Sequence, residues 1–135
     1  ERFDRILADV PCSGTGTLAH NPEIKWRLTT EDLTQLSARQ FEILEAAFDR
    51  VTSGGRVLYS TCSLEPEENE LVVERLLAKF GTAQLVDCRD ELRTLQKVGD
   101  VVIEDTDSLI TGKYLRTIPG VHRCEGFFAA ILQKN

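Results

Sequence analysis

The sequence predicts an α/β fold with a mostly parallel sheet. Three observations carry that prediction. Apolar strand patterns at 3–10 and 56–62 flank a long helical one. A second helical pattern then leads to a third strand pattern at 83–88. The chain closes on a further strand pattern, GFFAAILQK, at 126–134. Alternation of strand and helix along the chain is the signature of parallel strands joined by crossovers.

The first element, FDRILADV at 3–10, stops at Pro11. Its Ile6-Leu7-Ala8 run is continuous rather than alternating, as in a parallel strand covered on both faces. A small-residue loop, 11–17, follows, and then LAHNPEIKWRLT with turn signals at Asn21-Pro22. Thr29 and Thr30, followed by Glu31 and Asp32, mark a helix start, because a hydroxyl cap and early acids suit the positive helix N-terminus. Leu33, Leu36, Gln40, Ile43, Leu44, Ala47, Phe48 and Val51 make a largely apolar stripe at helical spacing. Ser53-Gly54-Gly55 ends it, and RVLYSTC at 56–62 reads as a second buried strand.

SLEPEENELVVERLLAKF reads as a second helix. Pro66 suits its first turn, and Glu65, Glu67 and Glu68 suit the dipole there. Leu71, Val72, Leu76 and Phe80 are its expected buried stripe. Gly81 ends it, and AQLVDC at 83–88 is a third strand. Residues 89–113 carry little periodicity and read as irregular. A short strand is expected near 114–118, before the final one. In such sheets right-handed crossovers place helices on both faces, and ligands bind beyond the carboxyl ends of the strands.

The totals bound the function. The 135 residues suit one domain with a real core. No apolar run approaches the ~20 residues of a membrane span, and no secretory leader is visible, so a cytoplasmic protein is expected. The chain starts at Glu1 and contains no Met, which suggests a fragment or trimmed product. A net charge of −6 counts against a generic polyanion-binding surface. It leaves room for a catalytic domain whose grip on nucleic acid lies elsewhere. The four cysteines, Cys12, Cys62, Cys88 and Cys124, form no Cys-x-x-Cys pair. With only two histidines, His20 and His122, this argues against zinc and against a disulfide framework.

The chemistry gathers at DVPCSGTGT (9–17) and YSTCSLEPEENE (59–70). The first has the small residues of an anion nest, but no P-loop Lys-Ser/Thr ending and no dinucleotide fingerprint. Cys12 follows one strand directly and Cys62 closes the next. If those strands are neighbours, both thiols lie at one rim. A thiolate is a strong nucleophile, and a helix N-terminus or a cation favours its formation. For Cys62 the helix start favours ionisation while Glu65, Glu67 and Glu68 oppose it. Free cysteines are commonly inert core residues; that reading is favoured for Cys88 and for Cys124. Asp9, at a strand end, fits a cap, a solvated loop acid, or an acceptor facing a base edge or a cofactor amine.

These two stretches resemble motifs IV and VI of the RsmB/Sun-type RNA (cytosine-5) methyltransferases. NPEIKWRLTTEDLTQLSARQFEILEAA and the closing CEGFFAAIL are similar to that family as well. The likeness covers nearly the whole chain and is weakest over 89–113. Pro-Cys alone would also fit DNA cytosine-5 methyltransferases, with Cys12 as nucleophile. The second cysteine, in STCS, points to the RNA enzymes. Val10 stands where the family commonly has alanine.

The resemblance implies a partial Rossmann-like methyltransferase fold, with strands equivalent to 4-5-7-6 and an antiparallel last strand. Residues 1–135 would be the C-terminal half of the catalytic domain. It implies S-adenosylmethionine as cofactor, with most of its site outside this chain, and Asp9 and Pro11 as the cofactor contacts within it. Cys62 would attack cytosine and Cys12 would assist product release. Asp9 would lie between cofactor and target base. The substrate would be rRNA or tRNA, with no membrane partner. The glycines of the first motif would leave room for an extruded base. Lys25 and Arg27 are candidate RNA contacts. Trp26 between them fits RNA stacking and a core plug equally. Pro119, His122 and Arg123 are weaker candidates near the site. The cofactor loop of the family is absent. Strand 3–10 would then be an unprotected apolar edge, and self-association through it is expected. A non-catalytic interaction module is the remaining alternative.

Overall fold

The computed structural model describes residues 1–135. It contains six strands: β1 (Phe3–Asp9), β2 (Val51–Thr61), β3 (Ala83–Val86), β4 (Ile110–Thr111), β5 (Tyr114–Thr117) and β6 (Phe127–Lys134). Four helices accompany them: α1 (Ile24–Arg27), α2 (Thr30–Arg50), α3 (Glu70–Lys79) and α4 (Cys88–Lys97). β1 and β2 pair in parallel, from Arg5↔Arg56 to Asp9↔Ser60. β6 lies antiparallel on the other side of β2. Its far edge is shared, with β3 along residues 131–134 and β5 along 127–129. β1, β2, β3 and β5 therefore point one way, and β6 and β4 the other. The order β1-β2-β6-β3 is the 4-5-7-6 arrangement expected from the sequence, with β6, the last strand in the chain, antiparallel.

α2 and α3 cover one face of the sheet. Phe41, Leu44 and Phe48 of α2 and Val72, Val73 and Leu76 of α3 pack on Val57, Tyr59, Phe128, Ala130 and Leu132. α2 starts where its cap sequence places it. The Thr29 hydroxyl accepts from Asp32 N–H at 3.1 Å, and the Asp32 carboxylate accepts from Thr29 N–H at 2.9 Å. This reciprocal box satisfies two orphan donors of the helix. The opposite face of the sheet is covered only in part. There α4 contributes Leu92 and Leu95 to an apolar groove of about 570 Å³, whose sheet side includes Leu7, Leu58 and Ile131.

Several elements depart from the sequence reading. β1 is not covered on both faces: it is the edge of the sheet, with Leu7 66% exposed. β2 begins at Val51 rather than at Arg56, because Ser53-Gly54-Gly55 is a bulge inside the strand. The register jumps there from Phe3↔Val51 to Arg5↔Arg56, and Gly54 takes φ 78°, a left-handed value that glycine adopts freely. Residues 66–69 form turns ahead of α3. That shift turns Leu71 outward, while Val73 takes its place in the core. Cys88 does not end a strand. It opens α4, whose cap is Asp87, accepting from Arg89 N–H at 2.9 Å. The helix was hidden because Asp87 and Cys88 read as the end of the preceding strand, although Cys88, Leu92 and Leu95 recur at helical spacing.

Candidate active site

The parallel pairing of β1 and β2 brings their carboxyl ends to one rim. The ladder continues through Val10 N–H, which donates to Ser60 C=O at 3.1 Å. Both chains then leave the sheet, and the sulfurs of Cys12 and Cys62 meet at 3.1 Å. The loop that carries Cys12 is pinned from behind. Gly16 N–H donates to Cys62 C=O at 2.9 Å, and Gly16 C=O accepts from Gly126 N–H at 2.8 Å. A Cβ at Gly16 would lie 2.2 Å from Gly126 O and 2.7 Å from Cys62 O. Gly14 sits at φ 74°, so it too serves the turn. These glycines answer to backbone crossing and turn geometry.

The phosphate-cradle alternative also fails on donors. Ser13 N–H is spent on Glu68 at 2.7 Å, Gly16 N–H on Cys62, and Thr17 N–H on Gly14 C=O at 2.8 Å. A carboxylate stands where a nest would hold an anion.

The two thiols meet in a half-buried setting. Burial, followed by the hydrogen bond with Cys62, pushes the Cys12 thiol up to about 12. Backbone N–H groups of Cys62 and Gly14 aim at the same sulfur and oppose that rise without cancelling it. Cys12 therefore holds its proton near neutral pH and can share it with Cys62. Cys88 is buried, and burial raises its thiol too; its role is packing. Cys124 is exposed in the loop before β6.

Sequence reasoning missed a block of buried polar side chains beneath the thiols. Glu68 is 0% exposed. It accepts from Ser13 N–H at 2.7 Å, Ser13 O–H at 2.5 Å, Gln40 Nε2 at 3.0 Å, and the Ser63 hydroxyl. Gln40 also donates to Pro11 C=O at 2.9 Å. Asn69 accepts from Thr61 O–H at 2.6 Å and donates to Ser63 C=O at 2.9 Å. Tyr59 O–H holds the Glu68 carbonyl at 2.5 Å. Two signals were available: a glutamine within an apolar stripe, and an acid cluster directly after STCS. The glutamine was counted in the α2 stripe without a role, and the acids read only as a favourable helix start.

The other expected residues are placed as follows. Asp9 is exposed at the end of β1, on the sheet face opposite Ala8 and Val10, and its Oδ1 accepts from Ser60 O–H at 2.9 Å. Pro11 is exposed above the Gln40 contact. Lys25 and Arg27 are exposed on α1, and Trp26 between them is 83% exposed, so it is no core plug. Arg27 lines a groove of about 770 Å³ with Ser13, Leu28, Asp32 and Arg39. That groove runs from the neighbour of Cys12 to α1. His122 fastens a loop instead of serving the thiols. Its Nδ1 accepts from Ile118 N–H at 2.9 Å, and its Nε2 faces Ser108 C=O at 3.0 Å.

Residues 1–133 match the family model described as 16S rRNA methyltransferase RsmB/F. The chain is 44% identical over its full length to the ribosomal RNA small subunit methyltransferase B of Shigella boydii, and covers 27% of that protein. It thus spans about a quarter of the length of the curated relatives it matches. Among solved structures it superposes on a methyltransferase homolog protein from Pyrococcus horikoshii. The TM-score is 0.70 at 32% identity, over 99% of this chain and 40% of that one. It also superposes on NSun6 from Pyrococcus horikoshii, solved with SFG. There the TM-score is 0.73 at 28% identity, over 98% of this chain and 30% of that one.

Proposed function

Because this chain belongs to the 16S rRNA methyltransferase RsmB/F family, we propose that it works within an enzyme that methylates carbon 5 of cytosine in ribosomal or transfer RNA. Residues 1–135 are then the C-terminal half of the catalytic domain. The observation that carries the reading is the pair of sulfurs 3.1 Å apart at the rim of β1 and β2. Two thiols in contact suit a reaction that must both make and break a carbon–sulfur bond.

Carbon 5 of cytosine is a poor nucleophile. The Cys62 thiolate adds to carbon 6, forming the S–C6 bond and pushing electron density toward carbon 5 and the ring's N3 edge. S-adenosylmethionine, when bound, would supply an electrophilic methyl group for carbon 5, the sulfonium leaving as the neutral thioether S-adenosylhomocysteine. A base then takes the carbon 5 proton, the ring double bond re-forms, and the S–C6 bond breaks to return the thiolate. Cys12, which keeps its proton, serves that last stage by sharing its S–H with the departing Cys62 sulfur. The same property argues against Cys12 as the attacking group, and hence against the DNA-enzyme arrangement. The target base must be extruded or unpaired to reach the rim.

Asp9 and Pro11 are the proposed cofactor-side residues. The fit rests on Asp9: one carboxylate oxygen is held by Ser60, and the other has no partner within the chain. A free acceptor at an exposed strand end suits an ammonium or an exocyclic amine. SFG, an analogue of S-adenosylmethionine, in the Pyrococcus relative supports the same cofactor. Lys25, Trp26 and Arg27 are the proposed RNA contacts, by charge and stacking.

The test is trapping on RNA bearing 5-fluorocytosine, whose fluorine cannot leave as a proton does. The full-length enzyme forms a covalent adduct that Cys62→Ala abolishes and Cys12→Ala does not. An adduct that survives Cys62→Ala would sink the assignment.

A further inference from the structure

We propose that Glu68 is a positioning residue that holds the two thiols in register and keeps them unequal. Its carboxylate ties the residue after each cysteine to one buried acceptor, beside the Gly16–Cys62 and Leu64–Thr15 hydrogen bonds that join the same segments. Oε1 accepts from Ser13 N–H at 2.7 Å and from Gln40 Nε2 at 3.0 Å. Oε2 accepts from Ser13 O–H at 2.5 Å and from the Ser63 hydroxyl. Ser13 is the residue after Cys12, and Ser63 is the residue after Cys62. Each sulfur is thus one residue removed from the same buried acceptor.

The geometry beneath Glu68 explains why a carboxylate serves here. All four partners present hydrogens, and two of them, the Ser13 and Gln40 N–H groups, cannot turn away. Four donors use the full acceptor capacity of a carboxylate. Charge-assisted hydrogen bonds of this kind are shorter and stronger than neutral ones. The anchor itself is rigid. Tyr59, fully buried in β2, donates to the Glu68 carbonyl, and Asn69 beside it fixes Ser63 through its carbonyl. Gln40 extends the network to Pro11, so the loop entering Cys12 is held from both sides. Removing the carboxylate unties Ser13 from Ser63 next to the sulfurs, while the Gly16–Cys62 and Leu64–Thr15 hydrogen bonds still join the segments further along. The sulfur contact would loosen, and with it the burial and the Cys62 hydrogen bond that hold the proton on Cys12. Besides each other, the ionisable group nearest the two thiols is the Tyr59 hydroxyl, with Glu68 against it.

The inference rests on the reading that the two thiols form one site, but its test needs no RNA. Iodoacetamide alkylation of the chain is followed across pH 6–10, with each cysteine read by peptide mass spectrometry. In the wild-type chain Cys62 reacts faster than Cys12. Glu68→Ala lowers the ratio of the two initial rates at least tenfold, and the pH at which Cys12 begins to react moves down. Glu68→Gln keeps an acceptor toward Ser13 N–H and Gln40, and restores the ratio to within about threefold of wild type. Buried Cys88 is the internal control and stays slow throughout. A ratio within twofold of wild type in Glu68→Ala overturns the proposal. If Glu68→Ala also unmasks Cys88, its fold has been lost, and Ser13→Ala decides: it removes one donor hydroxyl and leaves the carboxylate. The ratio then falls at least threefold, or the proposal fails. A failed 5-fluorocytosine adduct would count against the methylation reading and leave this ratio to be judged separately.

Discussion

Gly16→Ala should destabilise the chain more than any other single methyl addition at a glycine near the site. The added Cβ would meet Gly126 O at 2.2 Å, Cys62 O at 2.7 Å and Gly126 C at 2.8 Å. All three are backbone atoms, so no flexible side chain can give way. Separation of the segments also stretches the Gly16–Cys62 and Gly126–Gly16 hydrogen bonds, at 2.9 and 2.8 Å. Overpacking costs about 1–3 kcal/mol, and each buried hydrogen bond contributes about 1 kcal/mol, so a loss of about 4 kcal/mol is expected. For a domain of this size about 1 kcal/mol moves the melting temperature by roughly 3–4 °C, giving a fall of roughly 12–16 °C. Thermal melting followed by circular dichroism reads it directly. Gly81→Ala is the control, because nothing lies within 4 Å of the Cβ it would carry. It should stay within about 0.5 kcal/mol of wild type. A fall of less than 3 °C for Gly16→Ala would refute the view that the loop, Cys62 and Gly126 are locked by a backbone crossing.

Further outcomes follow from burial and edges. The Cys12 thiol is raised from 9.0 to about 12, so above pH 9 the unfolded chain gives up this proton while the folded one keeps it. Its contribution to stability is therefore fully present below pH 9 and is lost between pH 9 and 12. Urea titrations across that window should show a shallower decline for Cys12→Ala than for wild type; parallel declines would contradict the assignment. Trp26→Ala should leave the melting temperature within about 2 °C, since the ring is 83% exposed, and should weaken RNA binding by roughly 1–3 kcal/mol. Unchanged affinity in a filter-binding or fluorescence assay would remove Trp26 from the RNA surface. The open edge of β1 should support self-association, visible as concentration-dependent sedimentation, and Leu7→Lys should suppress it. A wild-type chain that sediments as a monomer across the micromolar range would refute this.

Much of the architecture was legible because local rules and tertiary packing agree. The Thr29–Asp32 box fixes the start of α2, and Leu44 and Phe48 recur at helical spacing on the side that is buried. Strand ends at Asp9 and Thr61 were readable from the flanking Pro11 and the polar residues after Thr61. α4 escaped notice because its cap, Asp87, follows a strand without a break, and its apolar side faces only part of the sheet. Of the expected α3 stripe, Val72 and Leu76 are buried, while Leu71 faces outward and Val73 is buried instead, because the turn at 66–69 delays the helix to Glu70. Glu68 was read only as an acid at a helix start, and that turn folds it under the two loops.

By itself the sequence determined the order of strands and helices apart from α1, α4 and β4, and the presence of two thiols at successive strand ends. Periodicity and strand termini are local properties, and the chain writes them residue by residue. Only the tertiary structure decided that the sulfurs touch, that Cys12 keeps its proton, and that one buried carboxylate ties both segments together. Those facts depend on distance and desolvation across 50 residues or more of chain. No pattern of neighbouring residues records them.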